Sequence, residues 1–187
     1  TTITASGIDD KITVNADGLV DNKTLDLNGS ADFTVSNLEG NTDASGTSGS
    51  LDITTGDNTV DNSIGITTGS GPTTITASGI DDKITVNADG MVDDTTLDLN
   101  GSADFTVNNL EGNTDASGTS GSLDVTTGDN TVDNSIGITT GSGSTTITAS
   151  GIDDKITVNA DGMADNKTLD LNGSANFTVN NLAANTD

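Results

Sequence analysis

Aspartate is the residue type in this sequence that could do chemistry. Of the 29 acidic residues, 27 are Asp, and the other two are Glu39 and Glu111. Many of these Asp stand beside Gly or Asn, as in Asp9-Asp10 and Asn15-Ala16-Asp17-Gly18. Ca²⁺ takes about six to eight oxygen ligands, which come from short carboxylates and backbone carbonyls. The same residue types also make ordinary turns, so residue type alone fits a calcium site and a plain turn equally well.

Charge density favours a bound cation. The chain has five Lys and no Arg, so its formal net charge is −24. If Asp26 and Asp52 lie on adjacent rungs, two like charges about 5 Å apart repel by just under about 1 kcal/mol in water. Bound cations would relieve this repulsion, and we therefore expect Ca²⁺ as a stabilising cofactor. The candidate metal ligands are Asp9, Asp10, Asp17, Asp57, Asp61, Asp81, Asp82, Asp89, Asp129, Asp133, Asp153, Asp154 and Asp161.

The missing residue types exclude several function classes. Without His, Cys or Arg the chain has no Ser-His-Asp triad, no Cys nucleophile and no His-ligated metal. A surface this acidic repels the nucleic-acid backbone, so we expect no nucleic-acid partner. No run approaches the roughly 18 apolar residues of a membrane helix, and we expect no membrane span. We also expect no catalytic residues, because nothing distinguishes one repeat unit as an active one.

An internal repeat organises the chain. The segment beginning Thr-Thr-Ile-Thr-Ala-Ser-Gly recurs at a period of 72 residues, giving repeat units at 1–72 and 73–144 and a partial unit at 145–187. The first two units differ at six positions. Because the chain opens at Thr1 and its third unit is partial, we expect it to be a window from a longer tandem array.

The repeat predicts an all-β fold. Strand-like openings at Ile3, Leu25, Leu51 and Ile75 are 22, 26 and 24 residues apart. Apolar residues alternate with polar ones, and Gly, Asn and Asp separate the alternating stretches. We therefore predict a right-handed parallel β-solenoid with about 24 residues per rung, three rungs per unit, and Ile3, Leu25 and Leu51 stacked. The number of faces per rung stays open, and the competing architecture is a small β-sandwich in each unit.

Three segments resemble a known class of protein. Residues 2–14 (TITASGIDDKITV), 24–35 (TLDLNGSADFTV) and 51–58 (LDITTGDN) are similar to the tandem repeats of very large secreted bacterial surface proteins. These include RTX-type adhesins and S-layer or matrix proteins. The resemblance implies type I export, calcium-assisted folding outside the cell, and a role as a stalk or filament in the cell surface or biofilm matrix. It transfers no individual calcium ligand to this chain.

The sequence as a whole predicts a structural repeat module of an extracellular bacterial filament, adhesin or matrix protein, non-catalytic and calcium-stabilised. The expected partners are other copies of the same repeat and, at the cell surface, matrix polysaccharide. The alternatives are a solenoid surface that binds glycan, ice or mineral, and tandem β-sandwich adhesin domains. An ice-binding surface would need the same Thr on successive rungs, and Asp26 and Asp52 interrupt such a ladder.

Overall fold

The computed structural model describes residues 1–7, 9–20, 22–56, 63–79, 82–128, 135–151, 154–182 and 185–186, and regular structure in these ranges is β-strand. Ten strands form one sheet, here the odd sheet: β1 Thr2–Ala5, β3 Thr24–Gly29, β5 Asn41–Thr47, β7 Ser63–Thr67, β9 Lys83–Asn87, β11 Asp104–Leu110, β13 Leu123–Thr127, β15 Thr145–Ala149, β17 Thr168–Gly173 and β19 Asn185–Thr186. Nine strands form the even sheet: β2 Lys11–Asn15, β4 Asp32–Leu38, β6 Leu51–Thr55, β8 Thr73–Ala77, β10 Thr96–Gly101, β12 Asn113–Thr119, β14 Ser135–Thr139, β16 Lys155–Asn159 and β18 Asn176–Asn180.

The strands form because apolar and polar residues alternate. In β6 the side chains of Leu51, Ile53 and Thr55 are buried, while those of Asp52 and Thr54 are exposed. Successive side chains of a strand point to opposite faces, so this spacing places one row in the core and one row in solvent. The β-branched residues also favour the extended backbone. The predicted all-β class is confirmed for the described residues.

The two sheets belong to one parallel β-solenoid of about eight turns. Consecutive strands alternate between the sheets, and each strand pairs in parallel with the strand two positions along the chain. The solenoid therefore has two faces. The sheets also run through the unit boundaries, since β6 pairs with β8 and β7 pairs with β9. The alternative of a separate β-sandwich in each unit is wrong.

The register gives the length of each turn. Aligned residues lie 17 to 24 positions apart, as in Thr2 with Asp26 and Asp26 with Asp43. Each complete 72-residue unit contributes seven strands, which make three and a half turns at about 21 residues per turn. The predicted rung of about 24 residues is therefore too long, and the predicted number of three rungs per unit is too small.

Strand β5 explains this error. Its inward side chains are those of Thr42, Ala44 and Thr47, which are small or polar and give no apolar alternation in the sequence. Without this strand, Leu51 is assigned to the sheet that holds Ile3. In the structure Ile3 is aligned with Leu27, and Leu51 lies in the even sheet. The predicted stack of Ile3, Leu25 and Leu51 is therefore wrong.

The odd number of strands in a unit rotates successive units by half a turn. The segment that forms β1 in the odd sheet forms β8 in the even sheet and β15 in the odd sheet again. Equivalent residues of the first two units therefore lie on opposite faces. The structural repeat along one face is 144 residues, twice the period of the sequence.

The core is a narrow column between the sheets. On the even sheet Phe33 stacks on Leu51, Leu51 on Thr73, and Thr73 on Leu97. The apolar members of this stack, Phe33, Leu51 and Leu97, belong to one hydrophobic cluster that continues through all three units. A small apolar content suffices because each turn has to fill only its own layer.

Glycine is required where the chain leaves β3. Gly29 has φ +113°, and a Cβ placed there would overlap the carbonyl oxygen of Ala5 on the preceding turn. Gly101 and Gly173 repeat this geometry in the other units. At this position the backbone needs both a conformation that L residues rarely adopt and close contact with the neighbouring turn.

Candidate functional site

The predicted metal ligands divide into two groups. Six of them lie outside the described residues: Asp57, Asp61, Asp81, Asp129, Asp133 and Asp153. The other seven lie in two kinds of turn, one before and one after the strand of sequence KITVN. Within the part of the chain that the structure describes, no three acidic side chains are arranged to hold a metal ion.

The turn before this strand holds Asp9 and Asp10, with Asp82 and Asp154 at the position of Asp10 in the later units. The Asp10 N–H donates to the carbonyl of Gly7 at 3.1 Å, and the Asp10 carboxylate folds over that glycine. Asp9 and Asp10 are exposed, whereas Asp82 and Asp154 are 2% exposed. These contacts hold the Asp10 carboxylate at a turn, and the assignment of these residues as calcium ligands stays a prediction.

The turn after the strand holds Asp17, Asp89 and Asp161, all exposed. In the second unit the Asn87 side chain donates to Asp89 Oδ1 at 3.1 Å. The N–H of Met91 closes the same turn by donating to the carbonyl of Ala88 at 3.3 Å. These carboxylates are therefore placed by a surface turn with its own hydrogen bonds.

The outward residues of the strands form a second acidic feature, here called the outward ladder. One residue from each strand of the even sheet lies in a single row along the solenoid: Thr13, Thr34, Asp52, Thr74, Asp98, Asp115, Thr139, Asn159 and Asn180. A matching row on the odd sheet includes Thr2, Asp26, Asp43 and Thr67. The ladder mixes Thr with Asp and Asn, so the predicted interruption of a pure Thr ladder is confirmed.

The alignment of outward residues on the two sheets shows which carboxylates are neighbours. Asp26 and Asp52 lie on opposite sheets, so the expectation that they occupy adjacent rungs is wrong. Asp26 is instead aligned with Asp43 on the next turn, and Asp98 with Asp115. Partners in a sheet are about 4.8 Å apart. The sequence missed these pairs because Asp43 and Asp115 lie on the strand type that shows no apolar alternation.

Each stacked carboxylate is held by donors close to it. Asp26 accepts from the Asn28 side chain at 2.7 Å and from the Thr2 hydroxyl at 3.1 Å. Asp43 accepts from the Ser45 hydroxyl at 2.7 Å and from the Ser45 N–H at 3.0 Å. Hydroxyl, amide and backbone N–H donors therefore hold the paired carboxylates of Asp26 and Asp43 in place.

Electrostatic effects differ between two acids near the turns. The Ser50 N–H donates to Asp32 Oδ1 at 2.8 Å and lowers the pKa of this carboxyl, and Lys11 lowers it further. Lys11 is the strand partner of Asp32. At Glu111 burial is the main cause of a raised pKa, and the negative charges of Asp89 and Asp93 add to it.

A shallow groove of about 320 Å³ crosses the even sheet between β12 and β14. These two strands are aligned at only two residue pairs. The Asn113 side chain fills part of the gap, where its Oδ1 accepts from the N–H of Gly137 at 2.7 Å. Asn41 and Gly65 make the same contact at 2.8 Å on the odd sheet. This Asn–Gly contact thus occurs in each of the first two units, on opposite faces.

The described residues include no helix of the length and apolarity needed to cross a bilayer. Comparison of the chain with protein-family models, with characterised proteins and with solved structures found no match.

Proposed function

We propose that this chain is a non-catalytic structural repeat module of an extracellular bacterial filament, adhesin or matrix protein. The observation that carries the proposal is the continuity of both sheets through near-identical units. Each unit adds three and a half turns of the same cross-section, so repetition adds length and little else. We also propose that the solenoid winds in the right-handed sense, the common hand of parallel strand connections.

Length is the property that this architecture supplies. At about 4.8 Å per turn, a 72-residue unit adds about 17 Å to the solenoid. The charge of −24 is spread along the surface and favours solubility of a long array. The proposed setting is the cell surface or biofilm matrix, reached by secretion. The proposed partners are other copies of the repeat and matrix polysaccharide, which needs no singular pocket.

Small-angle X-ray scattering on arrays of two, three and four units tests the structural role. The maximum dimension is expected to rise by about 17 Å per added unit while the cross-sectional radius stays constant. An array whose units move as separate globular bodies would give a changing cross-section and a larger increment. That result would contradict the proposal.

Calcium is proposed as the stabilising cofactor of the array. The support is the net charge and the stacking of Asp26 on Asp43 and of Asp98 on Asp115, where a cation would relieve repulsion. The thermal midpoint is expected to rise in CaCl₂ relative to a chelator at matched ionic strength. NaCl and MgCl₂ at the same ionic strength are the controls. An unchanged midpoint, or an equal rise with NaCl, would contradict a specific role of calcium.

A further inference from the structure

One strand contact in each of the first two units has a much shorter ladder than its neighbours. In the second unit β12 and β14 are aligned only at Thr114 with Ile138 and at Asp115 with Thr139. In the first unit β5 and β7 have the two corresponding pairs. The other neighbouring strands from β1 to β18 are aligned at four or five pairs each. These two short ladders are here called the sparse contacts.

A bulge in the strand shortens the ladder. Between β10 and β12 the alignment shifts from Asp98 with Asp115 to Asn100 with Gly118, so β12 has one more residue than β10 over this stretch. Strands β3 and β5 show the same shift in the first unit. A bulge bends its strand and disrupts regular pairing locally. The sequence of the repeat therefore builds a sparse contact at the same strand each time.

The remaining interactions at the sparse contact are weak. The Gly137 N–H donates to the Asn113 side chain and not to a backbone carbonyl, so this bond is lost when one side chain rotates. The inward side chains of β12 are those of Thr114, Ala116 and Thr119, whereas β10 buries two Leu. Thr114 Oγ1 is buried with no hydrogen-bond partner among the described residues. Opening of the contact would hydrate this hydroxyl, so its burial opposes the closed state.

The opposite face is regularly paired at the same level of the solenoid. Strand β13 follows β12 in the chain and is aligned with both β11 and β15 at four pairs. Its inward side chains Leu123 and Val125 are buried. The sparse contact lies on the odd sheet in the first unit and on the even sheet in the second. The weakly held face therefore alternates from one unit to the next.

We propose that each sparse contact is a hinge, which opens on its own face while the opposite face stays paired. Parts of a protein with few buried apolar contacts open at a free energy below that of global unfolding. Because successive hinges lie on opposite faces, the bends at neighbouring units compensate, and a long array bends without net curvature. The hinge goes beyond the proposed role in supplying length, since it determines how the array deforms.

Hydrogen exchange measured by NMR on the whole 187-residue chain tests the hinge. The reporters are the N–H groups that donate between β12 and β14, and the references are those that donate between β13 and β15 on the opposite face. Protection factors of the reporters are expected to be lower by about tenfold or more. They should also respond less to low urea, because a local opening exposes little surface. Equal protection of the two sets, or an equal response to urea, would overturn the inference.

Two chemically identical substitutions distinguish the hinge from general stability. Thr114→Val removes the buried hydroxyl at the sparse contact, and Thr73→Val removes one from β8, which is aligned with β6 at four pairs and with β10 at five. Thr114→Val is expected to raise the protection of the reporters about fivefold, and Thr73→Val to leave it unchanged.

Equal effects of the two variants on the reporters would overturn the inference. Circular dichroism establishes that each variant is folded, and the comparison of reporters with references in the wild-type chain stays decisive if one is not. Failure of the hinge leaves the scattering test of array length unaffected, so the two proposals are tested separately.

Discussion

At the residue scale, two glycines differ in how strictly their positions require glycine. Gly29 combines φ +113° with contact to the Ala5 carbonyl, whereas a Cβ at Gly18 meets open space. Gly29→Ala is therefore expected to lower the free energy of unfolding by about 3 kcal/mol, since both strain and overlap oppose the new methyl group. Gly18→Ala is the matched control and is expected to change stability by less than about 0.5 kcal/mol. Urea denaturation of the two variants measures the difference, and equal losses would contradict the assignment.

Buried threonines give a second contrast between residues. Thr114 Oγ1 is buried with no hydrogen-bond partner among the described residues, whereas Thr119 Oγ1 donates to the carbonyl of Ala116 at 2.8 Å. Thr114→Val replaces the hydroxyl with a methyl group of similar size and is expected to raise stability by about 1 kcal/mol. Thr119→Val is expected to lower stability by a similar amount, about 1 kcal/mol. Differential scanning calorimetry distinguishes the two signs.

The raised pKa of Glu111 predicts a dependence of stability on pH. Its usual value is 4.5, and burial together with Asp89 and Asp93 raises the value in the folded state. The folded chain then holds this proton more tightly than the unfolded chain. The free energy of unfolding therefore falls as pH rises from about 4.5, the usual pKa, through the higher pKa of the folded state. Glu111→Gln is expected to increase stability at pH 7 and to have no such benefit at pH 4. Thermal midpoints at the two pH values check the sign, and equal shifts would contradict it.

At the element scale, Asn113 acts as a substitute for a missing stretch of strand pairing. Its side-chain oxygen accepts the Gly137 N–H where β12 and β14 are not aligned. Asn113→Ala would leave this N–H without its acceptor and is expected to cost about 1 kcal/mol. Asn113→Asp retains an oxygen at this position and is the control. Hydrogen exchange at Gly137 should accelerate in the Ala variant, and an unchanged rate would count against the role of Asn113.

The sequence predicted the elements that bury branched side chains. Strands such as Leu51–Thr55 and Lys11–Asn15 show clear alternation, and the parallel solenoid was deduced from them. Strand Asn41–Thr47 could not be found in this way, because its core residues are Thr and Ala. One missed strand per unit then shifted the predicted register, the number of turns, and the neighbours predicted for Asp26 and Asp52. Seven of the candidate acids lie in turns of the described residues, as the sequence predicts, and their role as calcium ligands stays a prediction.

At the scale of the whole molecule, the half-turn relation between units can be measured with spin labels. Thr13 and Thr157 occupy equivalent positions of the first and third units, both on the even sheet. The chain has no Cys, so cysteines introduced at these two positions can be labelled specifically. They are seven steps apart, and a separation of about 34 Å is expected.

Deletion of residues 73–144 provides the matched comparison for this distance. It would move the second label to the opposite face, three and a half steps or about 17 Å along the axis from the first. The distance between the labels should therefore fall, to a value set by the axial offset of about 17 Å and by the thickness of the solenoid. If both labels remained on one face after the deletion, the unit would contain a whole number of turns and the seven-strand assignment would be wrong.

The odd strand number also constrains how the gene of such an array can change. Recombination between near-identical repeats gains or loses single units, and each such event exchanges the faces of everything that follows. An adaptation confined to one face would be moved to the other by the next event. Only chemistry that works equally on both faces survives this process. A population of arrays can therefore vary freely in length while natural selection acts on the two faces as one surface.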